Sequence, residues 1–234
     1  MKKTNKWMIA FLLSVFALTI SSCGKEEAQS KEKLYVDVSA VYEELTPQEM
    51  MMKSDLVVEV KYKGTTPPFR VKSATGGDPM TFKDTKFEIV EVFKGNKSVG
   101  DSIQVRTLGG EIELEDGVNE VTIGDYDKIK FTGKNHFILF LYYPLGSDYN
   151  TREDYYAPTN GPSSILKSID GRAISYETEN EFTNVDDLRK MEKGGTFLED
   201  YKENLNQSYQ SGQISEEEYQ DAIDLMDQYG EKLE

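Results

Sequence analysis

Residues 81–105, TFKDTKFEIVEVFKGNKSVGDSIQV, constrain the fold more than any other stretch of the chain. Phe87, Ile89, Glu91 and Phe93 alternate with Glu88, Val90 and Val92, so both faces are mostly apolar near the centre. That is the pattern of a strand curving through a small barrel. The spacing predicts one long strand over 82–93, a tight hairpin at Lys94-Gly95-Asn96-Lys97, and a partner strand over about 102–107. Such a core constrains fold more than chemistry.

The amino terminus is of a different kind. Lys2, Lys3 and Lys6 precede an apolar run over 7–20 that is too short to span a bilayer comfortably and suits the apolar region of a signal peptide. It ends in Ile20-Ser21-Ser22-Cys23, which resembles the lipobox of bacterial lipoproteins. The resemblance implies cleavage before Cys23 and lipid attachment to its sulfur. With no second cysteine the exported domain has no intramolecular disulfide and depends on its core. Residues 1–22 are then a signal peptide and 23–33 a tether, since GKEEAQSKE has no apolar side chain larger than alanine.

The full chain carries a formal charge of −15, and loss of the three signal lysines takes it to −18. Such a surface repels nucleic acid and anionic headgroups, so membrane association has to come from the lipid on Cys23. The expected location is the extracytoplasmic face of the cell membrane, or the outer membrane in a diderm host, because Gly24 rather than aspartate follows the cysteine.

A β domain is expected over 34–178. Its first strand starts near Leu34, and a short helix capped by Thr46, with Pro47 at N1 and Glu49 as capping-box partner, presents Met50, Met51 and Met52 for packing. Strands follow near 56–62 and 69–72, then the organising pair. Glu111 to Glu115 alternates strictly and reads either as an edge strand or as one arm of an excursion closed over 118–123, and the run over 133–143 reads as a strand buried on both faces. Ser164 to Ile169, the turn Asp170-Gly171 and Arg172 to Tyr176 form a closing pair. From 179 to 234 the periodicity becomes helical. Over 181–234 there are 15 acidic residues against five basic, and a helical hairpin over 196–230 carries one apolar stripe that must bury against something.

The order of these elements resembles the OB-type barrel of netrin-like and metalloproteinase-inhibitor-like domains. The matching segments are Asp55 to Val60, Val92-Phe93-Lys94-Gly95, Gly133-Lys134 before an apolar strand, and Asp170-Gly171-Arg172-Ala173, and they cover roughly 34–176. The fold class this implies is mainly β, a small OB-like antiparallel barrel followed by a short acidic α-helical region. Inhibitors of that type place an amino-terminal cysteine on a protease metal; a tethered, lipidated Cys23 does not suit that mechanism. The fragment Ser211-Gly212-Gln213-Ile214-Ser215-x-x-Glu218-Tyr219 resembles a short carboxy-terminal helical motif associated with oligomerisation.

No catalytic constellation emerges. Ser164-Ile165-Leu166-Lys167 has serine-x-x-lysine spacing but sits in an expected strand and lacks the partner motifs of penicillin-interacting enzymes. His136 is the only histidine, which excludes histidine-rich zinc sites, and the acidic groups Glu111, Glu113, Glu115, Asp125 and Asp127 read as solvated faces. No cofactor motif is present. Tyr142, Tyr143, Tyr149, Tyr155 and Tyr156 cluster near one strand end and suit protein or carbohydrate recognition.

Three functions fit these observations. The foremost is a non-catalytic, membrane-anchored module that binds another envelope protein or self-associates through 196–230. The second is a solute or glycan binder, marked by a concave aromatic pocket. The third is a modulator of an envelope hydrolase or protease, which needs convergent carboxylates or an inserted loop.

Overall fold

The computed structural model describes residues 32–38, 40–144, 155–176, 178–192 and 196–231. The expected signal peptide, Cys23, the tether to residue 31 and Tyr149 lie outside the described residues.

In chain order, β1 (Lys33–Val38) leads to α1 (Pro47–Lys53), then β2 (Leu56–Thr65), β3 (Phe69–Val71), β4 (Met80–Lys94) and β5 (Ser102–Leu108). Next come β6 (Gly110–Glu113), β7 (Asn119–Gly124), a 3-10 turn at Asp125–Lys128, β8 (His136–Tyr142) and β9 (Ala157–Pro158). A second 3-10 turn at Gly161–Ser164 precedes β10 (Ile165–Ile169), β11 (Arg172–Ser175) and β12 (Glu181–Asn184). The chain closes with α2 (Val185–Glu192), α3 (Thr196–Gln210) and α4 (Glu216–Glu231).

Local chemistry sets the helix starts. Thr46 Oγ1 accepts the Glu49 amide while the Glu49 carboxylate accepts the Thr46 amide, and Pro47 occupies the first turn, where no amide is needed. Lys94 closes the other end of α1 by donating to the Met51 and Met52 carbonyls at 2.9 and 3.3 Å. Met50, Met51 and Met52 are all buried, filling space between α1, the sheet and the carboxy-terminal helices.

β2 and β8 pair from Leu56–Leu141 to Lys61–His136 and are buried on both faces, because a separate core lies on each side. Val57, Ile138, Phe140 and Leu166 face the helices. Val58, Val60, Phe137 and Leu139 face a second core with Phe87, Ile89, Ile103 and Val105. Fully burying one such side chain contributes about 1.5–3 kcal/mol, so these two strands carry much of the stabilisation. The apolar stripe of the last two helices is covered within the chain itself: Phe197, Leu205, Ala222, Met226 and Tyr229 belong to the first core.

The sheet does not close, which corrects the expected OB-type barrel and with it the netrin-like and metalloproteinase-inhibitor-like resemblance. The fold is mixed α/β, not mainly β. The large sheet runs β12-β11-β10-β8-β2-β4-β3, with β5 on β4 and β9 on β8. Closure would need a ladder returning from β5 to β8. Instead β8 gives most of that edge to β10, and the sheet continues through β11 and β12. The outer edge of β5 meets one isolated parallel bridge, Val105 to Tyr156. The first strand also leaves the large sheet: β1 pairs in parallel with β7 in a separate sheet ordered β1-β7-β6.

A second difference concerns the organising pair. The ladder of β4 with β5 ends at Glu88–Ser102, and the chain between Lys94 and Ser102 is an open loop rather than a four-residue turn. Gly95 begins that loop at φ +107°, where an added Cβ would lie 2.9 Å from the Asp55 carbonyl oxygen. The loop thereby hugs the start of β2 and leaves a recess beside β5.

Candidate functional site

The recess is a cavity of about 640 Å³ lined by Asp55, Asn96, Lys97, Gln104, Tyr143 and Tyr156, among others. Three separate stretches build it. The loop after β4 brings Asn96 and Lys97, β5 brings Gln104, and the paired edges at the end of β8 and the start of β9 bring the tyrosines. The Tyr143 and Tyr156 rings meet edge to face with centroids 5.7 Å apart. The Tyr143 amide donates to Asp55 Oδ2 at 2.8 Å, and the Asp55 amide donates to the Leu141 carbonyl at 2.8 Å, which fixes this carboxylate at the cleft wall. Tyr156 is held through its backbone, donating to the Gln104 carbonyl and accepting from the Arg106 amide. Burial pushes its phenol above the usual range, and Tyr143 and Asp55 push the same way.

The five tyrosines singled out in the sequence therefore separate. Tyr143 and Tyr156 share the cleft, whereas Tyr142, alternating to the other side of its strand, lines a smaller hollow. Tyr155 is buried and structural: the Arg106 guanidinium lies 3.6 Å from its ring centroid and 4.9 Å from that of Phe69. Arg106 at the same time binds Asp84 through both oxygens, at 2.7 and 2.8 Å. Tyr149 and Cys23 are outside the described residues. Sequence reasoning missed Asp55, Asn96, Lys97 and Gln104 because they read as a strand start, a turn and a solvated strand face; only the tertiary arrangement gathers them.

Most of the remaining candidates have structural partners. His136 Nδ1 lies 2.9 Å from Glu59 Oε1, and Ser168 Oγ donates to the same oxygen at 2.8 Å. Histidine, carboxylate and serine stand together, but the serine binds the carboxylate and not the ring, so the order of a nucleophile relay is not formed. Ser164 accepts the Asn160 amide and contacts Met50 Sδ, while Lys167 Nζ sits 4.4 Å over the Tyr176 ring. Glu111 pairs with Lys33 at 2.9 Å, Asp125 accepts the Ala40 amide, and Asp127 accepts the Gly124 amide. Among the described residues no group of three or more histidine, cysteine, aspartate or glutamate side chains is placed to hold a metal ion.

No protein-family model and no curated protein matches the chain, so neither the lipoprotein nor the barrel resemblance gains support from relatives.

Proposed function

We propose that the protein is a lipid-anchored, non-catalytic recognition module that takes a polar, sugar-like solute in the Tyr143–Tyr156 cleft. The observation that carries this reading is the edge-to-face tyrosine pair set against the Asp55 carboxylate in a cavity of about 640 Å³. An aromatic face accepts the C–H side of a pyranose ring. The planar Asn96 and Gln104 amides, Asp55 and Lys97 supply donors and acceptors for vicinal hydroxyls. Anchoring rests on Lys2, Lys3 and Lys6, the apolar run to Ile20, and Cys23 after Ser21-Ser22, and places the domain outside the cytoplasm.

The cleft is favoured over the helical tail as the recognition element because the tail's apolar stripe is buried on its own sheet. The test is titration of the chain from residue 24 onward with a panel of neutral mono- and disaccharides, read by calorimetry. At least one saccharide is expected to bind, and Tyr156→Ala and Gln104→Ala each to weaken it about tenfold or more, roughly 1.4 kcal/mol. A panel with no binding at millimolar concentration overturns the reading, as does binding that survives both substitutions.

A further inference from the structure

A second hollow, of about 220 Å³, opens between the small sheet and the end of β8. Its apolar wall includes Val38, Phe82, Leu108 and Pro158, and its polar lip is made of Tyr42, Tyr126 and Tyr142. An apolar cavity of about 150 Å³ is known to hold benzene, so this one has room for a single ring with a short substituent. The charged neighbours are already engaged: Arg106 grips Asp84 through both oxygens, and Asp125 Oδ2 accepts the Ala40 amide at 3.3 Å.

The tyrosines are held differently from one another. Tyr42 packs against Gly161, where φ is +57° and an added Cβ would come within 2.1 Å of the ring. The Tyr126 and Tyr142 hydroxyls have no hydrogen-bond partner among the described residues. Burial pushes both phenols above their usual range, and Tyr42, Tyr142 and Asp125 add to the effect at Tyr126. Thr107 Oγ1, in the same lining, is buried with no hydrogen-bond partner among the described residues; an enclosed donor left unpaired costs about 1–3 kcal/mol, and an entering acceptor recovers part of it. Two phenols on the lip and the Thr107 hydroxyl in the lining of one apolar hollow define the complement: an uncharged ring for the wall and an acceptor oxygen for the hydroxyls.

We propose that this hollow is a second binding site, for a neutral one-ring molecule that carries a carbonyl oxygen. It is independent of the saccharide cleft, because Tyr142 and Tyr143 leave their strand on opposite sides and the two cavities share no lining residue.

Acetophenone and ethylbenzene have nearly the same shape and differ by the carbonyl oxygen, which makes them the probe and its control. The sample is the chain from residue 24 onward, whose described part from Lys33 is one compact unit, with isotope-labelled tyrosine rings followed by NMR. Acetophenone is expected to shift the Tyr126 and Tyr142 ring signals and to bind about fivefold more tightly than ethylbenzene, the worth of one hydrogen bond. Tyr126→Phe and Tyr142→Phe should each reduce that preference while leaving ethylbenzene binding unchanged; if one variant does not fold, the other gives the same reading. Equal affinity for the two probes, shifts confined to Tyr143 and Tyr156, or no shift at Tyr126 and Tyr142 overturns the proposal.

Discussion

The Tyr201 hydroxyl donates to Glu49 Oε1 at 2.9 Å, and Glu49 Oε2 accepts the amide of Thr46 at 2.7 Å. One carboxylate thus caps α1 and receives α3. Burial and the Glu49 charge together hold the Tyr201 phenol above its usual range. Tyr201→Phe should destabilise the protein by about 0.5–1.5 kcal/mol, and Glu49→Ala by about 1–2 kcal/mol because the cap is lost as well. Urea unfolding of both single variants and the double variant should give a coupling of at least about 0.5 kcal/mol; additive effects would show that helix and cap are independent.

Lys94 links the same regions from below. Its ammonium donates to the last carbonyls of α1 and lies 4.4 Å over the Tyr229 ring of α4. Lys94→Met keeps the aliphatic stem but removes both interactions, at an expected cost of about 1–3 kcal/mol. Hydrogen exchange should show α4 losing protection before β2 and β8 do. Uniform loss across the fold would mean that α4 is not a separately opening unit.

The Asp84–Arg106 pair is almost fully enclosed, each side chain 11% exposed, and spans the register pair of β4 and β5. Removing one partner leaves a charge enclosed without its counter-ion, so Arg106→Met should cost about 3 kcal/mol or more, measured by urea unfolding. Replacement of both by apolar residues of similar volume should restore much of the loss. A single variant as stable as the parent would refute this account.

At the start of α4, Ser215 Oγ accepts the Glu218 amide and the Glu218 carboxylate accepts the Ser215 amide. The backbone bond first, and the side-chain bond second, hold the Glu218 carboxyl below its ordinary 4.5. A carboxyl with a lowered folded pKa stabilises the fold above its unfolded pKa, and that stabilisation disappears as pH falls through the folded value. Thermal unfolding should therefore show α4 weakening below about pH 4.5, with a shallower acid dependence in Glu218→Gln. Identical acid profiles for parent and variant would count against a capping role.

Gly161→Ala tests the lip of the smaller hollow. The new methyl meets the Tyr42 ring, and the left-handed backbone disfavours any side chain there. The expected result is a loss of about 1–3 kcal/mol and a displaced Tyr42 signal in the NMR spectrum. An unchanged Tyr42 environment would show that this contact does not position the ring.

The elements were legible in the sequence where local chemistry decides them. Thr46, Pro47 and Glu49 mark a helix by capping alone, and the alternation at 82–93 and the apolar run ending at Tyr143 mark strands by period. What local pattern does not encode is which edge pairs with which. Nothing in the run around Phe137 to Leu141 tells whether its second neighbour is β10 or a strand returning to close a barrel, since either satisfies two apolar faces. Glu181 to Asn184 was missed as a strand because four residues of mixed polarity gain their order only from pairing with β11. The tyrosine cluster was visible as composition. Its division between two cavities follows from strand alternation, and its polar partners Asp55 and Gln104 come from strands remote in sequence.

The parallel pairing of β1 with β7 has a mechanical side. Tension on the chain upstream of Lys33 pulls along β1, and its register with β7 runs continuously from Lys33–Asn119 to Val38–Gly124. Parallel hydrogen bonds in such a ladder are evenly spaced and are loaded together in shear, rather than peeled one after another. Beneath them, Glu120 of β7 is fastened to Arg70 of β3 at 3.1 Å and to Thr81 of β4 at 2.8 Å, so the pull passes into the large sheet. The small sheet thus shares an upstream pull with the large sheet, and the smaller hollow, whose wall includes Val38 of β1, borders the loaded strand.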